Sequence, residues 1–378
     1  MTTRLVLFIF LLGFGPALAL AAEPPQPARP APVAPGHTLA HALLALELEG
    51  TDAPLRTRTL NQLVEHAVAR FGGPVAGELE PATAARFFRS VDDSLVEDGV
   101  IFPPGARVEL LRDALQPREP TEVELRRTRM DFANARRTQS IEVLRKAGEP
   151  LYYFDCDLAA VLYLAAAERL GLPVFLVEVP DHNFVRWQTP AVTLNWDPND
   201  AMIKADEHFV RMADLSAADQ ILFGYLENRM PDRIRSYWLV RRGQRKASEG
   251  QAAAALADFR AAVKTAPNDL AAANELAWLL ATAPDAQVRN GREAREIAEK
   301  LLARSRRINW LQTLAAAWAE TRDFPQAIAV EEEARRQAEA WLQSTRRPGS
   351  LAGFDTTLAA YRQNLSYAAA RERRLIKP

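Results

Sequence analysis

The stretch "FDCDLAAVLYLAAAERLGLPVFLVEV", residues 154–179, decides the fold. Leu158, Val161, Leu162, Ala165 and Ala166 recur three and four positions apart, a wide apolar stripe that predicts a well-buried helix over 156–170. Gly171 and Pro173 end it. "VFLVEV" (174–179) then reads as a buried strand. "HNFVRW" (182–187) and "VTLNWD" (192–197) read as two more, separated by "QTPA". A helix followed by three neighbouring strands is an α+β layout with an antiparallel sheet.

The same stretch holds Cys156, the only cysteine of the 378 residues. Asp155 is placed to cap the helix, accepting from its first free backbone N–H groups, which makes Cys156 the first helical residue. The positive end of a helix dipole favours a thiolate there. Asp157 supports the helix start as well, yet both aspartates oppose ionisation of the sulfur. A positive group has to outweigh them, and the imidazolium of His182 is the expected one. The simpler reading is a buried sulfur acting as a small apolar residue.

His182 begins a strand that returns after one helix and one strand, which can bring it back to the first turn of the helix. Its plainer reading is a loop histidine after "VPD". In "LNWDPND", Asn195 and Asp197 share one strand face and Leu194 and Trp196 the other. Asp197 at a strand end can accept the second ring N–H of His182 and fix its tautomer, with Asn195 as the alternative orienter. An aspartate that only opens the "DPND" turn explains the same residue.

Outward from this centre, the chain divides. Arg4 precedes "LVLFIFLLGFGPALALAA", an apolar run of signal-peptide type (residues 1–22) with small residues for cleavage after Ala19, Ala21 or Ala22. Gly13, Gly15 and Pro16 weaken it as a spanning helix, so the expectation is a periplasmic or secreted protein with no stable membrane span. In an oxidising compartment cysteines usually pair, and Cys156 has no internal partner. Residues 23–36, "EPPQPARPAPVAPG", read as an extended linker outside any core. Residues 37–150 are mostly helical in pattern: "HTLAHALLALELE", "LNQLVEHAVARF", and "PATAARFFRSVDDSLVEDGVIF" with Phe88, Val91 and Leu95 on one face. The charged segment 121–149 reads as a helix ended by Gly148 and Pro150, with the arginines of 125–137 on a solvated face.

After residue 235 the pattern changes. "GQRKASEGQAAAALADFRAAVKTAPND" fits the tetratricopeptide pattern, with Gly243, Ala255, Phe259, Ala262 and Pro267 at its spacing. A second unit starts at "ANELAWLLA" and resumes at "GREAREIAEKLLA" after the insert "TAPDAQVRN". A third places Leu314, Ala315, Trp318, Ala327 and Ala334 in register. The expected domains are 37–235, a repeat stack over 236–340 and a capping tail over 341–378.

Cysteine at a buried helix start, histidine on a following strand, and aspartate before proline on the next resemble the transglutaminase-like superfamily, which shares the papain-type fold. The matching pieces are "DCDLAAVLYLAAAERLGLPV", "PDHNFVRW" and "LNWDP", within roughly residues 85–215. The resemblance implies Cys156 as nucleophile, His182 as general base and Asp197 as orienter, acting on an amide bond of a protein or peptide through a thioester. The oxyanion is then held partly by the Cys156 backbone N–H, with Tyr152 or Tyr153 as weak side-chain candidates. The alternative is a catalytically silent domain whose repeats bind a protein partner. Near-neutral net charge, −1, gives no reason to expect nucleic acid. No cofactor is expected, and "KADEHF" (204–209) has no standard metal spacing and reads as a polar turn.

Overall fold

The computed structural model describes residues 29–48, 53–75, 79–101, 110–119, 143, 147–345 and 349–376. The apolar run of the first 22 residues and the charged segment 120–142 lie outside the described residues. The chain is α+β, mostly helical, with a small antiparallel sheet.

Three helices come first: α1 (Leu39–Glu47), α2 (Ala53–Phe71) and α3 (Pro81–Glu97), which opens with proline at its first position. The apolar faces read from the sequence are the buried ones, with Phe88, Val91 and Leu95 all at or below 1% exposure. After β1 (Val100–Ile101) and the single turn α4 (Leu111–Ala114), β2 (Tyr152–Tyr153) pairs in parallel with β1. Then comes α5 (Cys156–Leu170), buried nearly all round, and ended by Gly171 at φ 61°. A Cβ at Gly171 would also sit 2.7 Å from the Pro30 carbonyl, so only glycine fits that corner.

Pro30 is there because the proline-rich stretch docks. Residues 29–37 are largely exposed and outside the core. They are nonetheless tied to the end of α5: Val33 N–H donates to Glu168 O (2.8 Å), and Arg169 Nη1 to Val33 O (2.6 Å). Arg29 Nε donates to Gly171 O at 3.0 Å. Proline lacks an N–H group, so arginines and a valine supply the donors.

The sheet contains β3 (Val174–Val179), β4 (His182–Gln188), β5 (Thr193–Asp197), β6 (Met202–Lys204) and β7 (Asn228–Arg229), in the order β6-β5-β4-β3-β7, all antiparallel. Short helices α6 (Asp206–Met212) and α7 (Ala217–Phe223) lie between β6 and β7. One sheet face, with Val185, Trp187 and Trp196, joins α5 and α1–α3 in the main core. The other, with Val177, Val179 and Phe184, packs on Phe209 and Leu215. Trp187 is fully buried; Trp196 stacks on Phe88 and donates to Tyr163 Oη at 3.0 Å. Both tryptophans are core residues.

α8 (Pro231–Ser248) runs through the boundary drawn at 235/236. Ile234 and Trp238 belong to the main core, Leu239 and Val240 to the next. After it come α9 (Ala252–Thr265), α10 (Leu270–Thr282), α11 (Gly291–Leu302), α12 (Ile308–Glu320) and α13 (Phe324–Thr345), each packing on its predecessor. The last described segment is two helices, α14 (Ala352–Arg362) and α15 (Tyr367–Glu372), and α15 folds back onto α10 and α12. Small residues let the helices close up: Ala255, Ala262, Ala315, Ala327 and Ala334 are fully buried.

Gly243 makes one such close approach. A Cβ there would lie 2.5 Å from the ring of Phe259, which is itself buried. Gly243→Ala should therefore destabilise the protein by about 1–3 kcal/mol, as overpacking does, despite the better helix propensity of alanine. Phe259→Leu in the same background should recover part of the loss in urea unfolding.

Glu331 on α13 is 1% exposed, and burial raises its carboxyl to about 7, with Gln312 favouring the charged form. The folded state thus holds a proton that the unfolded chain releases near 4.5. Stability is intact below that pH, falls as pH rises through 7, and levels off at a loss of roughly 3 kcal/mol. Glu331→Gln should raise the melting temperature at pH 8 and lose that advantage at pH 4.

Candidate active site

α5 begins as the sequence predicts. Asp155 is extended (φ −97°, ψ −177°) and its Oδ1 accepts from Leu158 N–H at 3.1 Å. Cys156 is the first helical residue and is half-buried. Its Sγ donates to Asp157 Oδ1 at 3.4 Å, and the backbone N–H of Asn183 favours the charged sulfur from the other side. The sulfur therefore lies against the peptide that joins His182 to Asn183.

That peptide is held by a two-residue turn. Val179 pairs with His182 across Pro180 and Asp181, and Asp181 takes the left-handed φ of 58° that aspartate tolerates better than most residues. His182 is thus the first residue of β4. The β4–β5 register pairs Val185 with Trp196 and Arg186 with Asn195, so Phe184 falls opposite Asp197 and His182 lies one diagonal beyond it. His182 Nε2 comes 3.2 Å from Asp197 Oδ1, both side chains nearly inaccessible to solvent. The N–H is not well aligned on that oxygen, so the contact is an electrostatic pair more than a good hydrogen bond.

The period-2 alternation of β4 sends these side chains to different faces. Asn183, Val185 and Trp187 face α5, and Asn183 Nδ2 donates to Asp157 Oδ1 at 2.6 Å. His182 stacks on Phe209 at 5.9 Å, on the side of Phe184. The residue brought to the first turn of α5 is thus Asn183 with the His182 backbone, and no hydrogen bond joins the described imidazole to the sulfur.

Asp197 serves the turn and the histidine together. Its Oδ1 accepts from Asn199 N–H at 3.0 Å, and Lys204 Nζ approaches Oδ2 at 2.8 Å. Burial works to raise this carboxyl, but His182, Lys204 and the Asn199 N–H outweigh it and hold it at about 2. Asn195 is engaged elsewhere: its Oδ1 accepts from Arg186 Nε at 2.7 Å, and its Nδ2 donates to Asp206 at 2.7 Å. It does not orient His182. Asp206, from the polar cluster 204–209, is bound by Arg186 and Asn195, and no metal-holding cluster of three ligands occurs among the described residues. Tyr153 is buried under the guanidinium of Arg118, which lies 3.5 Å over its ring.

The group that answers the two aspartates is not an imidazolium. Arg241, on α8, pairs with Asp157 Oδ2 through Nη1 and with Asp155 Oδ2 through Nη2 at 3.3 Å. Tyr237, one turn earlier, donates to Asp157 Oδ2 at 2.5 Å. Sequence reasoning missed both, since nothing near Cys156 points to a helix that reads as the start of a repeat. Burial first, and Asp157 next, push the Cys156 thiol far above its ordinary range, so the resting sulfur is protonated. Burial and Asp157 also raise Asp155, against the pull of Arg241.

No protein-family model, curated protein or solved structure matches this chain.

A depressed acid contributes stability above its unfolded value, 3.8, and loses it as pH falls through 2. For the buried Asp197 that contribution is about 2 kcal/mol. Between pH 4 and 2, urea unfolding of Asp197→Asn should show a flatter dependence on pH than the parent protein.

Proposed function

We propose that the chain is an exported protein with a transglutaminase-like domain, residues 37–235, followed by tetratricopeptide repeats over 236–340 and a cap over 341–378. In this reading Cys156, His182 and Asp197 cleave or transfer an acyl group from an amide of a protein or peptide, and the repeats recruit that substrate or a partner. The observation that carries it is the sulfur at a helix start, lying against the His182 peptide, with the His182–Asp197 pair at the same end of adjacent strands.

Asp197 faces Nε2, which leaves Nδ1 as the base. The imidazole lies on the sheet face turned from α5, so this reading requires His182 to swing its Nδ1 to the sulfur, which already meets the backbone beside it. The Cys156 proton passes to Nδ1, and the sulfur forms a bond to the amide carbon. The oxyanion is held partly by the Cys156 N–H, and the C–N bond breaks as His182 protonates the leaving amine. Water or a second amine, deprotonated by His182, then displaces the thioester and restores the thiol. Acid–base assistance of this kind contributes about 10²–10⁴-fold.

A second reading has its own support. The thiol donates to Asp157 and is held protonated, and the imidazole packs on Phe209. A silent domain that presents the repeats to a protein partner accounts for both facts.

The pH dependence of Cys156 alkylation decides between them. The enzymatic reading expects reaction below the ordinary thiol range, about 8.5, and loss of that reactivity in His182→Ala. It also expects a labelled primary amine or water to release an acyl group in the parent and not in Cys156→Ser. Alkylation indifferent to His182, or appearing only in denaturant, sinks the enzyme and leaves the scaffold.

A further inference from the structure

We infer that Arg241 is a positioning residue for Cys156: the first helix after the sheet domain supplies the counter-charge for the two carboxylates that flank the sulfur. Arg233, Tyr237 and Arg241 recur every four residues along α8, and Arg233, at the start of the row, pairs with Asp269 as well as reaching the sheet. Arg233 approaches Glu178 of β3 at 3.8 Å, Tyr237 binds Asp157, and Arg241 spans Asp155 and Asp157. The spanning fork is specific to guanidinium, whose two terminal nitrogens address two acceptors at once.

The charged and polar groups at the start of α5 come from three elements: α5 supplies Asp155 and Asp157, β4 the Asn183 N–H, and α8 Tyr237 and Arg241. The side chains of His182, Asp197 and Lys204 lie together on the sheet face turned from α5. Lys204 is bound to Asp197 and Asp200 and so answers a different pair of charges. Tyr237 is neutral: burial and Asp157 hold its hydroxyl well above the usual range. Among these described groups, Arg241 is the cation that contacts the carboxylates beside Cys156. Without it, two uncompensated carboxylates stand against a thiolate, which disfavours ionisation of the sulfur. The clamp also fixes the carboxylate of Asp157, which accepts the S–H, and so orients the sulfur itself.

The inference rests on the catalytic reading of the site, but the two fail separately. An unresponsive His182→Ala overturns that reading, and an unresponsive Arg241→Met overturns this one. Using the full chain, the pH midpoint of Cys156 alkylation should rise by about one to three units in Arg241→Met, the usual effect of removing a close opposite charge. Arg241→Lys, which keeps the charge and loses the fork, should recover part of the shift. Asp157→Asn should lower the midpoint, and the double variant Asp157→Asn/Arg241→Met should lie nearer the parent than Arg241→Met alone. That pattern is electrostatic and a purely structural clamp would not produce it. A folded Arg241→Met with the parent midpoint overturns the proposal. Should that variant fail to fold, an unmoved midpoint in Asp157→Asn overturns it equally.

Discussion

Asp157 is a carboxylate on which three parts of the chain converge. It comes from the first turn of α5, and receives Asn183 Nδ2 from β4 and Tyr237 Oη and Arg241 from α8. An ionised carboxylate taken out of water is costly unless charge and hydrogen bonds replace its solvation. Satisfying it requires helix, strand and α8 to be in place together. Removing one partner of such a buried pair typically costs about 3–5 kcal/mol, because the other charge is left exposed to a low dielectric. The interaction need not add net stability over an apolar contact to have this effect. It makes one relative arrangement of the three elements much better than its neighbours.

The same arrangement settles which influence dominates at the sulfur. A helix N-terminus favours an anion by about 0.3–1 kcal/mol, and up to about 2 in partly buried geometry. Against it stand burial, the adjacent Asp157 charge and the Asp155 charge, and these win: the thiol is held protonated. Arg241 offsets one of the two negative charges, and the raised Asp155 carboxyl lessens the other. The Asn183 N–H likewise favours the charged sulfur, without reversing that balance.

Much of this was legible in the sequence because it was local. The stripe of α5, its Asp155 cap, the glycine at its end and the alternation into three strands each depend on residues within a turn or two of each other. That Asp197 would lie by His182 was expected from their places at a strand end and a strand start. What sequence reading could not supply was long-range. Both faces of β4 are buried, so "HNFVRW" shows no polar side, and nothing told whether His182 or Asn183 would face the helix. Asn195 and Asp197 share a face, yet Arg186 directly opposite Asn195 claims it, a pairing set by register and not by spacing. Arg241 lies just inside the span expected as repeats, and its role depends on Asp157 and Asp155, 84 and 86 positions earlier.

α8 spans the expected boundary near 235 and packs on both sides of it. A helix offers several faces at once. On α8, Ile234 and Trp238 go into the main core while Leu239 and Val240 go into the next. Its polar residues follow the same division. Trp238 Nε1 donates to Glu47 of α1 and Arg241 reaches α5, while Arg242 pairs with Asp258 of α9 and Ser236 donates to Asp269 at 2.7 Å. Apolar and ionic contacts thus leave the helix in both directions within three turns.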